Sequence, residues 1–133
     1  MIDPENEVYD RLATMLEDKF PGIDVASEYV KTPSSFPHVS IVCSDNSVST
    51  KTQTSGSAEV SVVVMFQVDV YSNKREGKKS ECKEIAGFIS DAMYQMNFTR
   101  QAFTPVPNME NATIYRITAR YRAETDGKNF YRR

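Results

Sequence analysis

The sequence predicts an α+β fold: a mostly antiparallel sheet with two helices packed on one face. Three observations carry this. Residues 58–70 (AEVSVVVMFQVDV) are apolar at every even position, Ala58, Val60, Val62, Val64, Phe66, Val68 and Val70, which is the two-residue period of a strand with one buried face. Two other stretches repeat apolar residues at the three- and four-residue spacing of amphipathic helices. The strand-like runs come in groups with the helices set apart from them, not in strict alternation.

The first helix opens at Asp3, a capping residue, with Pro4 at its first position and Glu5 and Glu7 where the helix dipole favours acids. Val8, Leu12, Met15, Leu16 and Lys19 follow at helical spacing, and Pro21 and Gly22 end it. Residues 23–30 alternate weakly and read as a strand. Residues 38–43 (HVSIVC) read as a second, introduced by Pro37. Residues 44–57 (SDNSVSTKTQTSGS) are almost entirely polar and are expected to form a mobile loop or hairpin tip. The long strand then leads through a turn at residues 72–76 to a helix over residues 77–96. That helix carries Cys82, Ile85, Ala86, Ile89, Ala92, Met93 and Met96 on one face. Residues 98–104 read as extended, and Pro105 and Pro107 interrupt them before a turn at residues 108–111. Residues 113–123 form the last strand, and residues 124–133 a polar C-terminal tail. The predicted order is α-β-β-β-α-β-β in one domain over residues 1–133, a common size for a single domain.

At 40% hydrophobic and 26% charged, the chain has the composition of an ordinary globular domain. Cys43 and Cys82 make no disulfide framework, no CxxC spacing suggests zinc, and both read as small reduced core residues. No apolar run reaches the ~18 residues of a membrane-spanning helix. The acidic start MIDPENEVYD lacks the apolar centre of a signal peptide. The glycosylation sequons at Asn97 and Asn111 therefore read as accidents of composition. The net charge of −2 hides an asymmetry. Residues 1–28 hold eight acids against Arg11 and Lys19, net −6, and residues 116–133 hold six bases against Glu124 and Asp126, net +4. A basic tail suggests nucleic acid, and opposite poles suggest head-to-tail association of copies.

Two helices cover about one face of a five-stranded sheet, and nothing in the chain supplies a third layer. The even face of the long strand and the odd face of the last (Tyr115, Ile117, Ala119, Tyr121, Ala123) belong under the helices. The other face carries Val63, Met65, Gln67, Asp69, Tyr71, Arg116, Arg120 and Arg122. A wet sheet face usually alternates to Thr, Lys and Glu, whereas Val, Met, Tyr and Arg are interface types. These eight are the candidate subunit or partner interface. The plainer alternative is a solvent face with Asp69 paired to arginines across strands. The long strand also outruns residues 38–43. Either the polar segment pairs with it as an arm leaving the body, the preferred reading, or another chain does. Ser47, Thr50, Lys51, Gln53 and Thr54 are the candidate flexible contacts in that segment.

No catalytic, cofactor or metal set emerges, and the chain reads as a non-enzyme. His38 has no acidic neighbour in sequence and reads as a satisfied strand-edge histidine. Neither cysteine has a histidine nearby in sequence, the glycines are scattered singly, and no carboxylates or metal ligands have a telling spacing. Arg116, Arg120 and Arg122 alternate with Tyr115 and Tyr121, so the tyrosines face away from the arginines. A base-stacking platform needs both on one face. A nucleic-acid-binding α+β module is thus the weaker alternative.

Residues 69–85 (DVYSNKREGKKSECKEI), residues 98–123 (FTRQAFTPVPNMENATIYRITARYRA) and the closing YRR resemble the tail terminator, or tail completion, proteins of long-tailed phages and prophages of Gram-positive bacteria. FPHVSI and EVYDRL also fit, so the resemblance runs nearly end to end, except for the polar segment at residues 44–57. The resemblance implies a structural virion protein that forms a ring, typically six-fold, on the head-proximal end of the tail tube. Such a ring ends tube polymerisation and joins tail to head. The implied partners are further copies of the chain, the major tail tube protein and a head–neck connector or stopper protein. DNA would pass through the lumen without specific binding. The implied location is the virion, with assembly in the host cytoplasm. A neck stopper or head–tail connector is the alternative role. The family has no catalytic residues to carry over.

Overall fold

A computed structural model of the protein describes residues 1–49, 61–107 and 113–132. Its elements are α1 (Glu5–Lys19), β1 (Asp24–Ala26), β2 (His38–Val48), β3 (Val62–Ser72), α2 (Lys78–Gln95), β4 (Thr99–Val106), β5 (Tyr115–Thr125) and β6 (Phe130–Tyr131). The strand order is β1-β2-β3-β5-β4, with β6 also on β5. Every pairing is antiparallel except β1 with β2. This is an α+β protein.

The core follows from the alternation in β3. Val62, Val64, Phe66, Val68 and Val70 are all almost fully buried. The register sets Val64 against Ala123, Phe66 against Tyr121, Val68 against Ala119 and Val70 against Ile117, so the odd residues of β5 complete the same apolar surface. Val8, Leu12 and Leu16 of α1 and Cys82, Ile85, Ile89 and Met93 of α2 belong to the same buried cluster. The two helices also touch each other edge to face through Phe20 and Phe88. Burying each such side chain fully contributes about 1.5–3 kcal/mol before chain entropy is set against it.

The helix ends show local chemistry. The Glu5 N–H donates to Asp3 Oδ1 at 3.1 Å, and Glu5 and Glu7 occupy the first turn of α1. Gly77 enters α2 at φ +87°, a left-handed conformation that a side chain would strain. The Cys82 thiol points at the carbonyls of Val70 and Tyr115, and burial pushes its pKa up to about 12.

Four sequence expectations change or sharpen. First, β2 does not end at Cys43. A register shift between Cys43 and Asp45 absorbs one residue, and Asp45, Asn46, Ser47 and Val48 then pair with Met65, Val64, Val63 and Val62. Ser47 is thus an exposed strand residue and not part of a mobile loop, because β3 offers a free edge that a polar chain can satisfy with backbone hydrogen bonds. Thr50, Lys51, Gln53 and Thr54 lie outside the described residues, as does the turn at residues 108–111.

Second, the polar segment pairs with the long strand, as the preferred reading has it, and among the described residues that pairing lies within the main sheet. β2 and β5 flank β3 from Val62 to Tyr71. The N-terminal residues also bind β2 beyond the reach of β1, where Glu5 Oε2 accepts from the Cys43 N–H and the Asn46 amide donates to the Ile2 carbonyl. Third, β4 runs through Pro105 to Val106, because it is an edge strand and proline there costs no ladder hydrogen bond on the open side.

Fourth, the C-terminal residues fold back. Asp126 accepts from the Lys128 and Asn129 N–H groups, which holds its pKa below the usual value, and Gly127 takes φ +94°. The resulting hairpin pairs Phe130 with Thr125. Phe130 is buried against Phe98 at 5.3 Å between ring centroids.

Candidate interaction face

The register places all eight candidate residues on the sheet face opposite the Val62–Val70 surface. Val63 stands across from Glu124, Met65 from Arg122, Gln67 from Arg120, Asp69 from Thr118 and Tyr71 from Arg116. On the other side of β3, Ser47, Asp45, Val42, Ser40 and His38 continue the same rows. The face is not uniform, however: Asp69, Tyr71 and Arg116 are covered from within the chain, and Asp69 pairs with an arginine across strands as the plainer alternative has it.

Asp69 and Tyr71 are each 1% exposed. Arg116 reaches Asp69 Oδ1 with Nε at 3.1 Å and Nη2 at 2.9 Å. The Thr118 hydroxyl donates to the same oxygen, and the Gln67 amide donates to Oδ2 at 3.1 Å. Burial works against the Arg116 charge. The hydrogen bonds and charge of Asp69 outweigh it and hold the guanidinium pKa above its usual value. The guanidinium also lies against the rings of Tyr29 and Tyr71, at 5.4 and 5.5 Å from their centroids. Tyr29 belongs to the connection between β1 and β2, so that connection supplies the cover that counting helices did not anticipate.

The cover is pinned by His38. Its Nδ1 lies 2.8 Å from Asp24 Oδ2 and its Nε2 lies 3.1 Å from Ser40 Oγ. The sequence shows no acid beside His38, yet the parallel pairing of β1 with β2 sets Asp24 opposite it. Asp, His and Ser so connected have the order of a hydrolytic triad. Ser40 is fully buried, so no substrate atom reaches its hydroxyl, and the three residues serve as a packed polar network. The Tyr71 hydroxyl is buried without a well-formed hydrogen bond among the described residues, although Tyr29 stands beside it. Its pKa is driven well up by burial; Arg116 opposes the rise, and Asp69 and Tyr29 add to it.

The rest of the face is open. Val63, Met65, Gln67 and Arg122 are half-buried, and Arg120 is exposed, its Nε 3.4 Å from Gln67 Oε1. Half-buried Val42 and Ala102 and exposed Asp45 and Ser47 extend the patch across the sheet. Beyond Val63 the face closes again, where Ser49 Oγ donates to buried Glu124 at 3.0 Å. The sequence reading missed Tyr29, Ser40 and Thr118 as cover. Only their tertiary neighbours reveal that role.

Among the described residues, no group of three or more His, Cys, Asp or Glu side chains could hold a metal ion. No described helix is long and apolar enough to cross a membrane. Burial, with the charge of Glu5, raises the Cys43 thiol to about 11, so neither cysteine is poised as a nucleophile. Compared with protein-family models and with curated proteins, the chain matches none.

Proposed function

We propose that the chain is a structural subunit of a tailed-phage or prophage particle. In this reading it belongs to a ring that caps the head-proximal end of the tail tube, stops tube growth and joins tail to head. The likeness of residues 69–85 and 98–123 to tail terminator proteins suggests the role. The observation that carries it is the patch of Val42, Val63, Met65 and Ala102 beside Arg120 and Arg122. It is an apolar and arginine surface on a rigid sheet, with neighbours on both sides fixed by buried networks. A face of this kind serves protein contact better than solvent. Its partners in this reading are further copies of the chain, the tube protein and a neck protein. DNA passes through the lumen without specific contacts.

The test adds the purified chain to polymerising tail tube protein and measures tube length and end caps by negative-stain electron microscopy. The wild type shortens tubes and caps one end. Met65→Asp combined with Arg120→Glu abolishes capping while melting as the wild type does. A wild type that leaves tube length unchanged and binds no tube end would sink the role. A double variant that caps normally would sink the assigned face.

A further inference from the structure

The side of the sheet that faces α2 holds a second buried phenol, Tyr121. Tyr121 is 1% exposed, and its hydroxyl makes no well-formed hydrogen bond among the described residues, although Ser90 stands close to it. It lines a cavity of about 280 Å³ together with Ser90, Asp91, Tyr94, Phe98 and Arg100. Helix α2 supplies Ser90, Asp91 and Tyr94, one turn of one face. Arg100 comes from β4, and Tyr121 from the strand paired with it. Arg100 Nη1 donates to Ser90 Oγ at 3.0 Å and its guanidinium lies over the Phe103 ring, which fixes the group. Arg132 stacks on the Tyr94 ring at 3.9 Å and donates to the Tyr94 carbonyl, which holds a second cation against one of the lining residues.

The donors decide the ligand. Arg100 in the lining and Arg132 on the neighbouring Tyr94 ring outnumber the one carboxylate of the lining, Asp91, so the site favours an anion. A guanidinium offers five N–H donors in a planar fork, and Arg100 spends one on Ser90. A carboxylate matches that fork with both oxygens, and each keeps a further lone pair that can accept from the Tyr121 hydroxyl. The cavity is smaller than the ~300–1,000 Å³ of sites for drug-sized ligands, and a single acidic side chain with its stem suits it better.

The chain itself carries a matching stripe. Glu7, Asp10 and Glu17 are exposed along one side of α1, spaced three and seven residues apart, and make no ion pair or hydrogen bond among the described residues. None of them lines the cavity of its own chain. We propose that the cavity between α2, β4 and β5 takes a carboxylate from the acidic stripe of α1 on a second copy of this chain. The contact joins two different patches, so it repeats head to tail and closes as a ring where the rotation allows. It rests on the ring reading above and says which surfaces form the subunit contact.

A charge swap tests it. One variant is Arg100→Glu, and the other carries Glu7→Lys, Asp10→Lys and Glu17→Lys together. Sedimentation velocity over a concentration series at low salt reads association, and thermal melts check folding. Arg100→Gln replaces Arg100→Glu if the reversal unfolds the chain. The wild type self-associates, and each variant alone loses about tenfold or more in affinity. An equimolar mixture of the two reversed variants regains association, because every junction again pairs opposite charges. Tyr121→Phe, which removes only the hydroxyl, weakens association a few-fold. Variants that associate like the wild type, a mixture that stays dissociated, or a wild type monomeric up to millimolar concentration would each overturn the contact. Tube capping separates this from the ring role. If the wild type and Arg100→Glu both cap tubes, the contact is wrong and the role stands. If the wild type caps none, the role itself fails.

Discussion

The two halves of one face of β3 carry the same alternation and end in opposite environments. Around Asp69 and Tyr71 the face is closed, with a charge buried against Arg116, Thr118 and Gln67 and roofed by Tyr29. Six residues back along the strand, around Val63 and Met65, the face is half-open, and Arg120, across from Gln67, is exposed. Alternation assigns a side chain to a side of the sheet. It does not say whether that side is covered, because cover comes from a connection remote in sequence. The difference also separates two uses of arginine. Arg116 neutralises a buried carboxylate, while Arg120 remains at the surface.

The contrast breaks most visibly at Asp69. Asp69→Ala strips the partner from a largely buried guanidinium and is expected to cost about 3 kcal/mol in urea denaturation. Asp69→Asn costs less, since the amide oxygen still accepts. A loss below about 1 kcal/mol for the alanine would mean that the closed half is not held by this pair.

Alkaline pH sharpens the same half. The folded pKa of Tyr71 lies above the unfolded value of 10.0, so its contribution is fully present below pH 10 and is lost as pH rises beyond it. Tyr71→Phe has no such loss. Its stability relative to the wild type should rise by about 1.4 kcal/mol between pH 8 and pH 11 in guanidinium melts. An unchanged difference across that interval would show the phenol to be solvated.

On the open half the effects shrink. Met65→Ala should change stability by no more than about 1 kcal/mol, read by the melting temperature. Arg120→Ala should stay within about 0.5 kcal/mol, because its contact with Gln67 is long and exposed. Either variant matching the Asp69→Ala loss would erase the distinction between the halves.

Much of this was legible from particular residues. The even positions from Val62 to Val70 and the stripes of α1 and α2 announced the core, since hydrophobic periodicity reports burial directly. The co-facial grouping of Met65, Asp69, Arg116 and Arg122 followed from strand parity alone. Other features carried weaker signals. The sequence TDGKNF holds a turn dipeptide before an aromatic, and the β5–β6 hairpin uses it. The polar composition of residues 44–48 concealed a strand, because backbone pairing there owes nothing to side-chain hydrophobicity. Asp24 and His38, fourteen residues apart, meet only through parallel pairing.

By itself the sequence determined which residues face which side of the sheet, where the helices run, and that acids gather at one end of the chain and bases at the other. These are local properties, set by side-chain period and by composition. The tertiary structure alone decided which half of the outer face is closed. It also placed Ser90, Asp91, Arg100 and Tyr121 around one cavity and set His38 between Asp24 and Ser40. Those outcomes depend on register and on the path of connections, which bring together residues whose spacing along the chain says nothing of their distance in space.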